Sequence, residues 1–322
     1  MTEIAAGIAG PDIEFSIVSG SNESLLFGCL ASIVETMLGS RPTWSTTVIC
    51  NRAGDGLADR VRAAFPEAAI IENASPKGFA ANHNMVLARS MARFVWLLND
   101  DLVLLPGAVN VITDYMESPA NARAAVVSPK LLNPDGSLQP STYGFPSMPQ
   151  ILLAHSGLRE MAVTNALMRI AAPVLRSKQG SSRYWAHDRI VEVDTFRGAC
   201  VAMRMEAVRE VGPMVEVALV GAEETEWHRR FHDRGWKVVF NPEAEVIHYG
   251  SQTVADGSTN HLPEYLKGAM YFFRTSRSPA SYRAFRASLI AMFNAKLAVQ
   301  RVARDNVGIS VTRRYLEVVR NS

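Results

Sequence analysis

Four short apolar runs with strand character, separated by three segments of helical period, fill residues 12–98. The runs are "DIEFSIV" (12–18), "STTVIC" (45–50), "AAIIE" (68–72) and "FVWLL" (94–98). Between them lie "NESLLFGCLASIVETML" (22–38), with Asn22 or Ser24 placed as an N-cap, "GLADRVRAAF" (56–65), stopped by Pro66, and "AANHNMVLARSMA" (80–92). Such alternation predicts a parallel sheet covered by helices on both faces. Ligands of such sheets collect beyond the carboxyl ends of the strands. The segments at those ends are polar: "CNRAGDG", "NASPKGFAANHN" and "NDD".

The remainder is less regular. "LLNPDGSLQPSTYGFPSMPQ" (131–150) reads as turns, and residues 151–188 give only weak helical signals. "IVEVDTFRGACVAMR" (190–204) has strand character, and "MEAVREVG" is a short helix closed by Gly212. "GAEETEWHRRFHDRGW" (221–236) predicts a helix ended at Gly235, and "KVVFNPEAEVIHYG" (237–250) a strand, a turn and a strand. From about 262 the chain reads as helical and basic.

At 322 residues, 48% hydrophobic and 20% charged, the chain is long and apolar enough for a substantial core, which argues against disorder. The net charge of +2 does not mark the whole molecule as a polyanion binder, but it is unevenly placed. From Tyr265 onward eleven Lys or Arg face two acids, Asp305 and Glu317, a net of +9 that leaves −7 on the rest. An anionic surface as partner and a merely solvated helical face are both compatible with that tail. Cys29, Cys50 and Cys200 are scattered and odd in number, which points to a reducing compartment and no zinc ribbon. The amino-terminal stretch lacks the pattern of a signal peptide, and no apolar run is long enough to span a bilayer.

Four places carry candidate chemistry. Asn99-Asp100-Asp101 sets two adjacent carboxylates between apolar runs, where burial is costly without compensation. A hard divalent cation is one answer and a helix-capping turn the other. In "PKGFAANHN", Gly78 permits close backbone approach, Asn82 and Asn84 offer amides, and the following helix start favours an anion; the same residues also make ordinary turns. "GAEETEW" puts Glu223, Glu224 and Glu226 on one helical turn, either as a general base perturbed by its neighbours or as a solvated acidic first turn. "VIHYGSQT" ends a strand in His248. His228 and His232 have the spacing of a zinc helix, but "HRRFH" lacks the glutamate of HExxH. No GxGxxG, P-loop or GxSxG is present.

In order, these segments resemble the family 2 glycosyltransferases of GT-A fold, in particular their rhamnosyltransferase-like branch. "SPKGFAANHN" resembles the family's N-x-G-F-A-x-x-N, "LLNDD" its LN-x-D, and "SPKLLNPDGSLQP" its P-K-L-L-x-P-D-G-S-L-Q. "GACVAMR", "EETEWHRR" and "GWKVVFNPEAEVIHYGSQT" resemble three further motifs, so that the likeness spans about 12–253. It implies a GT-A (nucleotide-diphospho-sugar transferase) α/β fold, a mostly parallel Rossmann-like sheet with helices on both faces. It also implies a nucleotide-binding half (12–105), an acceptor and catalytic half (106–253), and a basic helical region (254–322).

The resemblance also implies roles. Asp101 and His248 match metal-binding positions, for Mg2+ or Mn2+, with Asp100 beside them. Ser19, Asn51, Asp55, Lys77, Gly78, Asn82 and Asn99 fall with Asp100 on the donor side. Glu224 matches the catalytic base, normally aspartate, while Glu223, Trp227 and Gly198 lie on the acceptor side. The chain departs from the family after the second strand, where Cys50 replaces the usual base-contacting aspartate, and after the first, where "VSGSN" replaces Y-N.

The implied activity is inverting transfer of rhamnose or another hexose from a dTDP- or UDP-linked donor to a cell-surface glycan or lipid-linked precursor. The expected setting is cytoplasmic and peripheral, with the basic tail on an anionic membrane face, no nucleic acid as partner, and the oligomeric state open, a homodimer included. A nucleotidyltransferase and a catalytically silent sugar-nucleotide-binding scaffold are the alternatives. Against the first, "VSGSNES" carries no Lys or Arg.

Overall fold

β1 (Ile13–Ser19), β2 (Trp44–Cys50), β3 (Ala69–Glu72) and β4 (Phe94–Asn99) pair in parallel in the spatial order 3-2-1-4. The crossovers are α1 (Glu23–Met37), α2 (Leu57–Ala64) and α3 (Phe79–Leu87). The structure, a computed structural model, describes residues 10–20, 22–52, 54–156, 187–217, 223–250 and 261–322. The Asn22 side chain accepts the Leu25 N–H and caps α1. α3 is shorter than its period predicts. It stops at Leu87, and the Ser90 hydroxyl accepts the Ala92 N–H as the chain turns into β4. Strand order reverses between β1 and β4, which opens a crevice at their carboxyl ends.

β4 shows why the sheet is covered twice. Phe94, Trp96 and Leu98 pack into one apolar cluster with α1, while Val95 and Leu97 pack into a second cluster on the other face. Beyond Asn99 follow β5 (Leu102–Leu104), α4 (Ala108–Glu117), β6 (Ala124–Leu132), β7 (Leu138–Gln139), β8 (Thr142–Tyr143) and α5 (Met148–His155). The turn reading of 131–150 therefore needs correction. The turn proper is Asn133–Ser137, and α5 opens with a capping box between Ser147 and Gln150. The later elements are β9 (Val191–Glu192), β10 (Thr195–Phe196), β11 (Cys200–Arg204), α6 (Met205–Val211), α7 (Glu223–Asp233) and β12 (Lys237–His248). Most of 151–188, the start of the helix placed at 221–236, and 251–253 at the end of the family likeness lie outside the described residues.

β12 is one strand rather than strand, turn and strand. Its ladder with β6 is irregular between Asn241 and Glu245, and the Asn241 side chain accepts the Glu243 N–H there. Pro242, which offers no N–H to a ladder, sits in that bulge. Past the bulge, β12 runs between β6 and β5, with His248 opposite Leu102. β5 is only two residues beyond β4, yet β4 lies between β1 and β11 while β5 pairs with β12. Asp100 and Asp101 are the corner between these two places.

α8 (His261–Ser276), α9 (Pro279–Val302) and α10 (Asn306–Asn321) form a third core with α5, around Phe272, Phe273, Leu289, Phe293 and Val319. Phe145 joins it to α7, its ring 5.6 Å from those of Phe272 and His232. Arg286 donates to the Val319 and Arg320 carbonyls, closing the last turn of α10. Among the described residues no helix is long and apolar enough to cross a membrane.

Candidate active site

The corner after β4 is held from two sides. Asp100 Oδ2 accepts the Ser19 hydroxyl at 2.8 Å and the Gly20 N–H at 3.2 Å, both from the end of β1. Burial lifts the Asp100 carboxyl above its ordinary range; the Ser19 hydrogen bond draws it down, and the adjacent Asp101 charge pushes it up. The Asp101 carbonyl accepts the Tyr249 N–H at 2.9 Å, tying the corner to the end of β12. Asn99 donates its N–H to the Ala199 carbonyl, so the loop before β11 borders the same crevice.

Asp101 is 7% exposed, and its Oδ1 has no hydrogen-bond partner among the described residues. His248 Nε2 lies 3.3 Å from it. On the other side of the ring, Nδ1 meets Gln139 Oε1 at 2.6 Å. The Gln139 amide orientation is set by its neighbours, because Nε2 donates to Asn133 Oδ1 and to the His248 carbonyl. Nδ1 is therefore the donor to Gln139, and in the neutral ring the Nε2 lone pair faces the Asp101 oxygen. Two acceptors aimed at one gap suit a cation; the carboxylate suits Mg2+ or Mn2+, and an imidazole beside it favours the softer Mn2+. Among the described residues no group of three or more His, Cys, Asp or Glu could hold a metal. The other coordination positions would fall to a ligand and water.

Gln139 escaped the sequence reading although it lies inside the "PDGSLQ" motif. Its work is to orient a histidine 109 residues away. Gln139→Ala is expected to weaken Mn2+ binding about 10- to 100-fold, read as the Mn2+ concentration needed to raise the melting temperature in the presence of a nucleoside diphosphate. An unchanged Mn2+ requirement would remove Gln139 from the site.

A second group forms an amide latch beyond β2. Asn51 Oδ1 accepts the Lys77 N–H and the Asn73 amide, and Asn51 Nδ2 donates to the Lys77 carbonyl. Asn73 also donates to Asn82 Oδ1 at 2.6 Å, and Asn82 donates to the same Lys77 carbonyl. The loop is thus pinned with Lys77 exposed and Gly78 as the N-cap of α3. Asn73, the centre of the latch, was not singled out in the sequence. Asp55 lies apart: its carboxylate accepts the Leu57 N–H at the start of α2 and its side chain is exposed. Cys50 is buried, with its thiol pushed up to about 11 chiefly by burial.

The third group surrounds Glu224 on α7. A Cβ on Gly198 would stand 3.8 Å from Glu224 Cγ and Cδ and 3.7 Å from Phe79, so glycine leaves the approach to the carboxylate open. Tyr265 on α8 lies near enough that, after burial, the Glu224 charge raises its phenol and Arg197 lowers it. Arg197 in turn reaches the Tyr143 hydroxyl. None of these three was singled out in the sequence, because they come from three separate segments. Neighbours of Glu224 take other parts. Glu226 accepts Arg230 Nε on both oxygens at 3.0 Å. Glu223 is buried. Trp227, placed on the acceptor side by resemblance, is also buried, and its indole donates to the Gly212 carbonyl, which holds α7 to the end of α6. His228 and His232 turn to different partners, the Thr195 hydroxyl and the Val193 and Asp194 carbonyls.

A family model described as glycosyltransferase-like family 2 matches residues 11–267. The N-acetylglucosaminyl-diphospho-decaprenol L-rhamnosyltransferase of Mycobacterium tuberculosis, in two strains, is 23% identical over 270 residues, covering 79% of this chain and 81% of that protein. Among solved structures, the mannosyltransferase PcManGT from Pyrobaculum calidifontis, in complex with GDP-Man and Mn2+, has a TM-score of 0.52 at 14% identity, covering 97% of this chain and 86% of its own. GalNAc-T7 with UDP, GalNAc and Mn2+ has the same TM-score and identity, covering 83% of this chain and 50% of its own. At such identities the two structures bear on the fold alone, and the fold they share with this chain is GT-A.

Proposed function

This chain belongs to glycosyltransferase-like family 2, and from that premise we propose a metal-dependent inverting enzyme that moves rhamnose or another hexose from a nucleotide-diphosphate donor to an acceptor hydroxyl. The acceptor is a cell-surface glycan or a lipid-linked precursor. The lipid-linked class is supported by the similar mycobacterial enzyme, whose name carries a diphospho-decaprenol acceptor. A basic helical region suited to an anionic membrane face agrees with it.

The observation that carries this reading is the gap between Asp101 Oδ1 and His248 Nε2 at the switch point of the sheet. A bound Mg2+ or Mn2+ there would offset the charge of the departing diphosphate. Ser19 and Gly20 keep Asp100 fixed beside it. The amide latch presents Lys77 and the start of α3, with its free N–H groups, to the donor's phosphates. Glu224 accepts the proton of the acceptor hydroxyl as that oxygen bonds to the anomeric carbon. The bond from that carbon to the diphosphate oxygen breaks in the same displacement, on the opposite face, and the configuration inverts.

The test is a thermal-shift panel of dTDP, UDP, GDP and their sugars, with and without Mn2+ or Mg2+. One base is expected to stabilise the protein only with metal, by about 2.7 kcal/mol at a hundred times its Kd. If no nucleotide shifts a folded sample under either metal, the donor site proposed here is wrong.

A further inference from the structure

Val299, Val302 and Val307 stand at one turn, 69%, 87% and 78% exposed. They flank the connection between α9 and α10, with Arg301 and Arg304 exposed among them. Single exposed valines are ordinary on a protein surface. Three within nine residues, at the end of one helix and the start of the next, mark this connection out. Valine is also a weak helix former, so helix propensity does not account for Val299 and Val302.

The display is built into the fold. Arg304 has φ +56, the one non-glycine residue with positive φ among the described residues. Asp305 donates its N–H to the Gln300 carbonyl, and its carboxylate accepts the Gly308 N–H to cap α10. Gly308 approaches so closely that any side chain there would strike Asp305 and Gln300. Behind the turn, Phe293, Leu297, Tyr315 and Leu316 are buried between the helices. The three valines are exposed on a connection that is hydrogen-bonded within itself and backed by a packed core.

Charge chooses the partner. A groove of about 460 Å3 between α9 and α10, running from Arg301 beside the turn to Arg320 at the end of α10, is lined by Arg301, Arg313 and Arg320, with Glu317 as its acid. A second copy of the chain would set these arginines against themselves, and three valines supply far less than the roughly 800 Å2 per partner of a stable interface. A nucleic acid would meet the arginines and leave the valines in water. An anionic bilayer answers both features, with valines entering the acyl boundary and arginines meeting lipid phosphates. We propose that the α9–α10 turn is a shallow membrane wedge that seats the C-terminal helices on an anionic lipid surface. The inference rests on the reading of this enzyme as one serving lipid-linked acceptors.

The test labels full-length Val302→Cys with an environment-sensitive fluorophore; the native Cys29, Cys50 and Cys200 are all buried. Vesicles of phosphatidylcholine with phosphatidylglycerol are expected to shift the emission to the blue and to co-sediment the protein, and pure phosphatidylcholine to do neither. Val302→Asp with Val307→Asp is expected to lower the co-sedimented fraction about tenfold or more, with unchanged turnover on a water-soluble acceptor. The wedge is overturned by an unshifted probe on anionic vesicles, or by wild-type co-sedimentation of the double variant. It is equally overturned by the same shift with heparin, or with protein concentration alone. If turnover persists while vesicle binding fails, the wedge falls and the transferase reading stands. Vesicle binding without turnover of any donor removes the transferase reading instead.

Discussion

Asp101→Ala is expected to lower sugar transfer about a thousandfold without harming the fold. The argument rests on what Asp101 lacks. Its Oδ1 is buried, stands near the Asp100 carboxylate and has no hydrogen-bond partner among the described residues, so in the metal-free protein it is a cost. Removing it should leave the metal-free melting temperature unchanged or higher. The loss should appear only when metal and nucleotide are added, as the disappearance of their stabilisation. Activity within tenfold of wild type, with the same metal requirement, would show that the corner is a structural turn, the alternative that Asn and Asp at a strand end always allow.

Glu224→Gln is the second large effect. Removing a general base costs about 10²- to 10⁴-fold in rate, and the amide keeps the shape that Gly198 and Phe79 accommodate. Donor binding with metal should stay within about twofold, since Glu224 is on α7 and outside the Asp101–His248 pair; turnover should fall by about a thousandfold. Glu226→Gln is the control. Glu226 is held by Arg230, which also donates to the Val211 and Pro213 carbonyls, so its change should lower stability with little effect on chemistry. A Glu224→Gln enzyme that turns over normally would remove Glu224 from the chemistry. A wild type that binds donor and never turns it over would favour the silent scaffold.

The parallel half of the sheet was legible in the sequence because its four strands are single apolar runs broken by helical periods. Their spatial order was not, since alternation fixes direction and leaves neighbours open. β12 was misread because Pro242 looks like a stop; a bulge absorbs the missing donor, and only the partner strand reveals it. The capping box of α5 was written as Ser-x-x-Gln at 147–150, but its Pro-rich surroundings masked it. Asp101 and Glu224 stood out as charges in apolar or crowded settings, while His248 took its role only through the family resemblance. Gln139, Asn73 and Arg197 did not, because neutral amides and surface arginines carry meaning only through the distant groups they touch. Trp227 shows the converse: a motif residue whose side chain the fold spends on packing α7 against α6.

The two-residue corner at Asp100 and Asp101 also has a consequence for the order of assembly. Its first half is complete once β1 and β4 pair, a local event in the first hundred residues. Its second half waits for His248, 147 positions later. At ribosomal rates that interval is roughly 7 to 30 s, during which a nascent chain already carries both carboxylates and only Asp100 has its partners, Ser19 and Gly20. Ladders between such distant segments form late and slowly. Acquisition of nucleotide binding during refolding should therefore lag behind the burial of Trp96 in the first core. Of all the signals this protein can give, competence for its donor would be the last to appear and the strictest measure of a finished fold.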